Sequence, residues 1–394
     1  MNKNHPACNV NKEGDYLKNK KIWVGVTGSV SAVETIGIIR ELLRYGADVT
    51  VVANSAALEL VGEKALEFAC GKPIIKEISG QVEHVIAGHE ADLLMIVPCC
   101  ATSLGKMVNG IGDNPPMLIA LTCIGARTPI IIAPAMDKNM AKSEIVQKNV
   151  KRISKFATVI EPDIIEGKAK LPSKDRLIAE ACKIAGPKTL ARKKLLVIGG
   201  GSSEPIDDIR VVSNRSSGMM AVSLAESAFA RGANVDLWLG NATYNAGDWI
   251  RTRRFASLSN LKAMVKNMNK YNAIIVPAAL SDFIPTHTKG KIDSAKPISL
   301  EMKKAPKIIN SLRKKHKGLL YAFKLGSRIS DKELLLKAKK LLKNADCVIA
   351  NHSQAMDSEK SKVAIVDNKN TEWISGNKKN ISGLILNKIA SELK

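Results

Sequence analysis

The apolar positions of this chain fall into short runs separated by stretches of helical spacing. Lys21–Thr27 is a β-rich run, Ser31–Tyr45 repeats its apolar positions as a helix does, and Ala47–Ala53 is a second strand. Strands recur at Asp92–Val97 and Thr128–Ala133, with helical stretches at Thr102–Asn109 and Pro115–Ile124. A helix over Ser173–Ala185 closes this half. Strands alternating with helices imply parallel βαβ units and a doubly wound sheet.

The segment "GPKTLARKK" reads as a linker, and the pattern restarts at Lys194. Strands are expected at Leu195–Ile198, Asn234–Leu239, Ala273–Val276, Leu319–Phe323 and Asp346–Ala350. Helices fit Gly218–Arg231, Ser257–Asn269, Ala305–His316, Asp331–Lys343 and Asn380–Leu393. The fold class is therefore α/β, with two doubly wound, Rossmann-like domains that are not tandem copies. The boundaries read as a flexible segment over 1–19, a first domain over 20–186, a linker over 187–193 and a second domain over 194–394.

Composition narrows the class. At 394 residues, 45% hydrophobic and 25% charged, the chain has the length and make-up of a globular protein with real cores. The polar start "MNKNHPACNVNKEGDYLKNKK" has no apolar core of a signal peptide, and runs such as "ADLLMIVP" and "TPIIIAPAM" are too short to cross a bilayer. The expectation is a cytoplasmic protein without a membrane partner. Seven cysteines form no CxxC pair or zinc spacing, so most are expected as buried free thiols. The net charge of +23 admits nucleic acid, anionic substrates or no specific role. Aromatics are only 4%, and no basic stretch carries interleaved stacking residues, which argues against nucleic acid and for phosphorylated substrates.

Several loops carry candidate chemistry. In "LLVIGGGSSEPIDDIR" three glycines follow a strand, yet the next helix starts only after "SNRSSG" and no GxGxxG spacing appears. In "VTGSVSA" small residues leave a strand and enter a helix, which suits a phosphate, although a serine-capped turn looks the same. "VPCCATS" and "IAPAMDKNM" follow apolar strands, where open α/β sheets bind ligands. His84 and His89 are equal candidates on composition. "AALSDF" places Asp282 at a strand end, and Lys291 sits in the flexible polar segment "HTKGKIDS". Such a lysine could close over a triphosphate, but most loop lysines are merely solvated.

The order "TGSVSA", His84, "PCCAT", "GIGDN", "PAMDKNM", "SNRSSGMM", "AALSDF", "KGKI", "IAN" resembles the bifunctional enzymes of coenzyme A synthesis that fuse phosphopantothenoylcysteine decarboxylase to phosphopantothenate–cysteine ligase. The resemblance runs from Lys20 onward. For the first half it implies an FMN flavoprotein that oxidises the substrate's cysteine thiol to a thioaldehyde, from which CO2 leaves easily. It implies that Gly28, Ser29, Ser31 and Asn54 hold the FMN phosphate and ribityl chain, that Pro98, Ala101 and Thr102 line the isoalloxazine, and that His84 is catalytic. Asp137 and Met140 would face substrate, with Asp137 standing where relatives carry asparagine. Where many relatives carry a flap cysteine that donates the last proton, "IIEGKAKLPSKDRL" has none, leaving as the acid Lys168, Lys170 or a different residue such as a displaced thiol, or else a flap that only covers the site.

For the second half the resemblance implies ligation of cysteine to 4′-phosphopantothenate through an acyl-cytidylate made from CTP, with Mg2+ on the phosphates. Asn214 would contact the intermediate, and Pro277, Ala278, Asp282, Pro306, Phe323, Lys339 and Lys343 would border the nucleotide. Lys291 would promote cytidylate formation. Relatives' "SNRSSGKMG", "FxAE" and "AND" become "SNRSSGMMA", "FKLGS" and "ANH" here, so that Met219 removes a positive charge, an acid is lost and His352 stands at the third site. The resemblance also implies a homo-oligomer. Two rival readings stand beside it: a chain that keeps one activity only, and a basic nucleotide- or nucleic-acid-binding module on the same fold.

Overall fold

The computed structural model describes residues 5–165, 168–293, 298–353 and 360–394. The chain divides into two compact units, Met1–Pro187 and Lys188–Lys394.

The first unit is built on β1 (Lys21–Val26), β2 (Asp48–Ala53), β3 (Leu93–Cys99), β4 (Ile130–Pro134) and β5 (Thr158–Val159). They form one parallel sheet in the order β2–β1–β3–β4–β5. Every residue of β3 and β4 is buried, which explains their unbroken apolar runs: a parallel strand is covered on both faces. The connections are α1 (Thr35–Arg44), α2 (Ser55–Val61), α3 (Glu63–Cys70), α4 (Glu83–Glu90), α5 (Ala101–Val108), α6 (Pro115–Ala126), α7 (Lys138–Lys142), α8 (Glu144–Ile153) and α9 (Lys174–Ala185). A hairpin of β6 (Asp163–Ile165) and β7 (Lys168–Lys170) lies outside the main sheet.

Two expectations for this unit change. The helix expected over Ser31–Tyr45 is a 3-10 turn, Val30–Glu34, followed by α1. At the junction buried Thr35 donates its hydroxyl to the Val97 carbonyl at 3.2 Å, which fixes the bend against β3. The segment before Lys20, expected to be flexible, lies against the end of α1. Leu17 is fully buried, and the amides of Glu13 and Leu17 donate to the carbonyls of Arg44 and Tyr45.

The second unit carries β8 (Lys194–Gly199), β9 (Ser203–Pro205), β10 (Val211–Ser213), β11 (Asn234–Leu239), β12 (Arg251–Arg254), β13 (Ala273–Val276), β14 (Phe283–Pro285), β15 (Met302–Lys304), β16 (Leu319–Gly326), β17 (Cys347–His352), β18 (Lys360–Val366) and β19 (Thr371–Asn377). Its large sheet runs β12–β11–β8–β13–β16–β17–β18–β19, with β9–β10 and β14–β15 as separate ribbons. The strands from β12 to β17 are parallel, and β18 and β19 add an antiparallel tail. The helices are α10 (Met219–Ala230), α11 (Leu258–Lys266), α12 (Ile308–Lys315), α13 (Asp331–Leu341) and α14 (Lys378–Glu392). Ser257 and Ser330 start α11 and α13 with reciprocal capping boxes, to Asn260 and Glu333. Leu196, Ile198, Trp238, Ile274 and Leu320 pack between the sheet and its helices.

In both sheets the chain order reverses beside the first strand, between β1 and β3 and between β8 and β13. Loops leaving adjacent strands there diverge to opposite faces and open a crevice at the carboxyl ends. Among the described residues, no helix is long and apolar enough to cross a membrane.

Candidate active sites

The first crevice is made by the loops that leave β1, β2, β3 and β4. Thr27, fully buried at the end of β1, donates its hydroxyl to the Pro98 carbonyl at 2.9 Å and accepts the Cys100 amide at 3.1 Å. Ser29 Oγ reaches the Ala135 carbonyl beyond β4 at 3.4 Å. Asn54 donates its amide to the Val26 carbonyl at 3.3 Å, and its side chain caps α2 by accepting the Ala57 amide at 3.0 Å. The loops are tied to one another, and Gly28 sits where the β1 loop presses on α2. A Cβ there would lie 2.6 Å from the Ala56 Cβ.

These contacts bring Gly28, Ser29, Ser31, Asn54, Pro98, Ala101 and Thr102 to one end of the sheet. Pro98 follows a cis peptide bond, and Ala101 and Thr102 open α5. Asp137 is exposed and caps the short α7, accepting the Asn139 amide at 2.7 Å, with exposed Met140 in the same turn. An asparagine would cap equally well, so the cap does not explain the acid.

His84 is the second residue of α4, which leads into β3. A helix that returns to a parallel strand starts at the strands' carboxyl end, so His84 faces that end and exposed His89 the other. The His84 Nδ1 is buried and has no hydrogen-bond partner. A buried polar atom left unpaired in a native fold needs an explanation. Residues 166–167 and the Lys168 side chain lie outside the described residues.

A thiol not singled out by number from the sequence, Cys100, stands at this crevice and caps α5. Burial pushes the Cys100 thiol up, but contacts with the Ser103 hydroxyl and amide, the Thr27 hydroxyl and the Thr102 amide carry it below the ordinary value. Elsewhere burial raises the thiols, to about 11 at Cys123 and about 12 at Cys182 and Cys347.

The second crevice lies between the loops after β8 and β13. The glycine loop Gly199–Gly201 is needed for close approach rather than for a nucleotide fingerprint. A Cβ at Gly199 would meet the Ala221 Cβ at 2.0 Å, and Gly200 has φ +76° with the Gly240 amide 2.8 Å from its would-be Cβ. Beyond the glycines, fully buried Ser202 donates its hydroxyl to Ser281 Oγ at 3.0 Å and accepts the Ser281 amide at 3.0 Å. The Asn214 amide side chain donates to the Ala279 carbonyl at 3.2 Å. Asn214 is thereby joined to the loop of Pro277 and Ala278.

Asp282 is exposed and paired with Lys307, and its carbonyl accepts the Ala305 amide at 2.8 Å, which sets Pro306 beside it. Phe323 is half-buried in β16, one strand from β13. The backbone around Lys291 is not free as expected: Thr288, Gly290 and Ile292 all donate to the Ile206–Asp208 stretch, while the Lys291 side chain is exposed.

Two expected nucleotide contacts stand apart. α13 starts at the crevice end, where Asp331 Oδ1 meets His352 Nε2 at 2.6 Å, and then runs away from it. Exposed Lys339 is about 12 Å further down the helix, and exposed Lys343 lies past its last turn. The Asp331–His352 pair puts a carboxylate at the place where the chain has "ANH". No cluster of three or more metal-ligating side chains exists among the described residues.

Comparisons with known proteins fit this division. Residues 10–186 match the flavoprotein family model, and residues 190–393 match the C-terminal domain of DNA/pantothenate metabolism flavoproteins. The chain is 37% identical over 361 residues to the coenzyme A biosynthesis bifunctional protein CoaBC of Thermococcus kodakarensis, covering 89% of each chain. It is 33% identical over 387 residues to that of Methanocaldococcus jannaschii, covering 96% of this chain and 95% of that one. A solved DNA/pantothenate metabolism flavoprotein from Streptococcus pneumoniae aligns with TM-score 0.47 and 24% identity, over 50% of this chain and 99% of its own.

Proposed function

The chain belongs to the CoaBC family of bifunctional coenzyme A biosynthesis enzymes, with decarboxylase and phosphopantothenate–cysteine ligase activities, and from that premise we propose how its two crevices divide the work. The observation that supports the proposal is that most candidate residues of each half lie on loops at the carboxyl ends of parallel strands, beside the point where strand order reverses.

The first crevice is the decarboxylation site and takes FMN. Its residues fit that group: Gly28 lets the β1 loop pack against Ala56 of α2, and Ser29 and Ser31 stand at the opening of a 3-10 turn whose N-cap side chain makes no capping bond. Gly28, Ser29, Ser31 and Asn54 would hold the phosphate and ribityl chain, and Pro98, Ala101 and Thr102 the ring. When bound, FMN supplies an acceptor for the two electrons of thiol oxidation, which turns the substrate's carboxylate into a good leaving group as CO2. His84 takes or gives the proton at its unpartnered Nδ1. Asp137 and Met140 line the approach of substrate.

The second crevice is the ligation site. A carboxylate oxygen of 4′-phosphopantothenate attacks the α-phosphorus of CTP, the bond to the β-phosphate breaks, and pyrophosphate leaves. The cysteine amine then attacks the activated carbonyl, loses a proton and expels CMP. Lys291 offsets the charge that develops on the α-phosphate, and Asn214 orients the acyl group. Pro277, Ala278, Asp282, Pro306 and Phe323 border the nucleotide. The described residues offer no cage for Mg2+, so the ion would enter with the triphosphate.

Exposed Val82, Val85 and Ile86 flank His84, which supports a homo-oligomer in which another copy covers α4. A cytoplasmic setting accords with the substrates. The deciding experiment supplies phosphopantothenate, cysteine, CTP and Mg2+ to purified protein and follows products by mass. Amide formation followed by CO2 loss is expected. Amide without CO2 loss, or colourless protein, would overturn the decarboxylase half.

A further inference from the structure

The loop that carries Lys291 is seated by a carboxylate more than eighty residues away in sequence. The Asp207 side chain is fully buried. Its Oδ1 accepts the backbone amides of Ile209 at 2.9 Å and Arg210 at 2.6 Å, closing its own turn. Its Oδ2 accepts the Ile292 amide at 3.1 Å and faces Arg210 Nε at 3.4 Å. The Arg210 guanidinium in turn donates to the Ile292 carbonyl at 2.5 Å. Next door, Asp208 Oδ2 accepts the Gly290 amide at 3.0 Å. Both chain neighbours of Lys291 are therefore bound by adjacent aspartates, while the lysine side chain is left exposed. Amide donation from Arg210 and Ile292 holds the Asp207 carboxyl far below the usual range, at about 2, so the acceptor is ionised near neutral pH.

We propose that Asp207 is a positioning residue for ligation: by seating Ile292 it fixes the backbone from which Lys291 reaches the triphosphate. The proposal rests on the reading of Lys291 given above. Lysine has a long flexible stem, and its ammonium can be placed only as well as its Cα is. Asp207 itself is buried with both carboxylate oxygens taken up by loop backbone, so its effect on the reaction passes through the lysine.

The two carboxylate oxygens have separate duties, which gives a selective cut. Asp207→Asn keeps an oxygen for the amides of Ile209 and Arg210 but turns an N–H towards the Ile292 N–H, so the turn survives and the tie between loops is lost. Ligation measured with CTP, phosphopantothenate and cysteine should lose about 10- to 100-fold in kcat, the scale of a misplaced catalytic group, with KM for phosphopantothenate nearly unchanged. Decarboxylation of added phosphopantothenoylcysteine by the same preparation should not change, which verifies folding. In a Lys291→Gln background, Asp207→Asn should cost nothing further.

Unchanged kcat, a loss confined to KM, or an equal loss in the Lys291→Gln background would overturn the proposal. Wild-type ligation by Lys291→Gln alone would instead overturn the reading of the lysine, so the two failures are told apart by the single variant. If Asp207→Asn does not fold, Asp208→Ala at an exposed carboxylate releases Gly290 instead. It should lower kcat several-fold in the same pattern, and unchanged kcat there would also count against the proposal.

Discussion

Ser202→Ala tests how much one buried hydroxyl adds to the tie between the two ligase loops. Ser202 is fully buried and Ser281 nearly so, and the Ser202 Oγ both accepts the Ser281 amide and donates to the Ser281 hydroxyl. Removing it strands a buried N–H, which costs about 1–3 kcal/mol, and deletes a second hydrogen bond worth about 1 kcal/mol. The Ser281 hydroxyl can rotate, so it adds little further penalty. A net loss of about 2–4 kcal/mol follows, or roughly 4–16 °C in midpoint for a unit of this size. The assay heats the whole enzyme at graded temperatures and then measures both activities at one lower temperature. The ligation midpoint should fall by that amount while the decarboxylation midpoint holds. A ligation midpoint within about 1 °C of wild type, a small fraction of the shift expected for such a loss, would refute the reasoning. It would mean that water or a relaxed loop replaces the lost oxygen.

Other outcomes follow from the same geometry. Gly28→Ala drives a methyl into Ala56 and should weaken flavin retention about 10-fold or more, read by absorbance of the bound fraction during dilution, on the scale of a clash costing about 1–3 kcal/mol. His84→Asn should abolish CO2 release and spare ligation, whereas Lys291→Gln should cut ligation to a small but measurable residual rate and spare CO2 release, each followed by product mass. His316 is buried, and that burial holds its ring below the ordinary histidine value. The unfolded chain then binds the proton more readily, so stability is full above about pH 6.5 and falls as pH drops through the folded value. Urea midpoints of the second unit should decrease between pH 7.5 and 5.5, and His316→Gln should flatten that slope.

The strands that build both sheets are legible because a parallel strand buried on two faces leaves an unbroken apolar run, as at β3 and β13. The crevice loops are legible because small residues follow those runs. β12 is not, since its sequence Arg251–Arg254 is exposed throughout and has no apolar pattern to read. Thr27, Ser202 and Asp207 escape notice for another reason. Each is one polar residue in a loop, and what sets it apart is a partner some 70 to 85 positions away. Lys339 and Lys343 are basic residues in a matching order, and the sequence does not show that their helix leads away from the crevice.

Those long-range ties also set a calendar for the growing chain. Every strand of the first sheet, and every loop of its crevice, is complete by Val159. The second crevice needs Asn214, Ser281 and Ile292 together, so Ser202 and Asp207 must wait for chain made much later. At about 5–20 residues per second, the flavin site can close while its neighbour is still unmade. Cofactor supply during translation would then act on the first unit alone, and a ribosome that stalls after β8 would release a flavoprotein with no ligase.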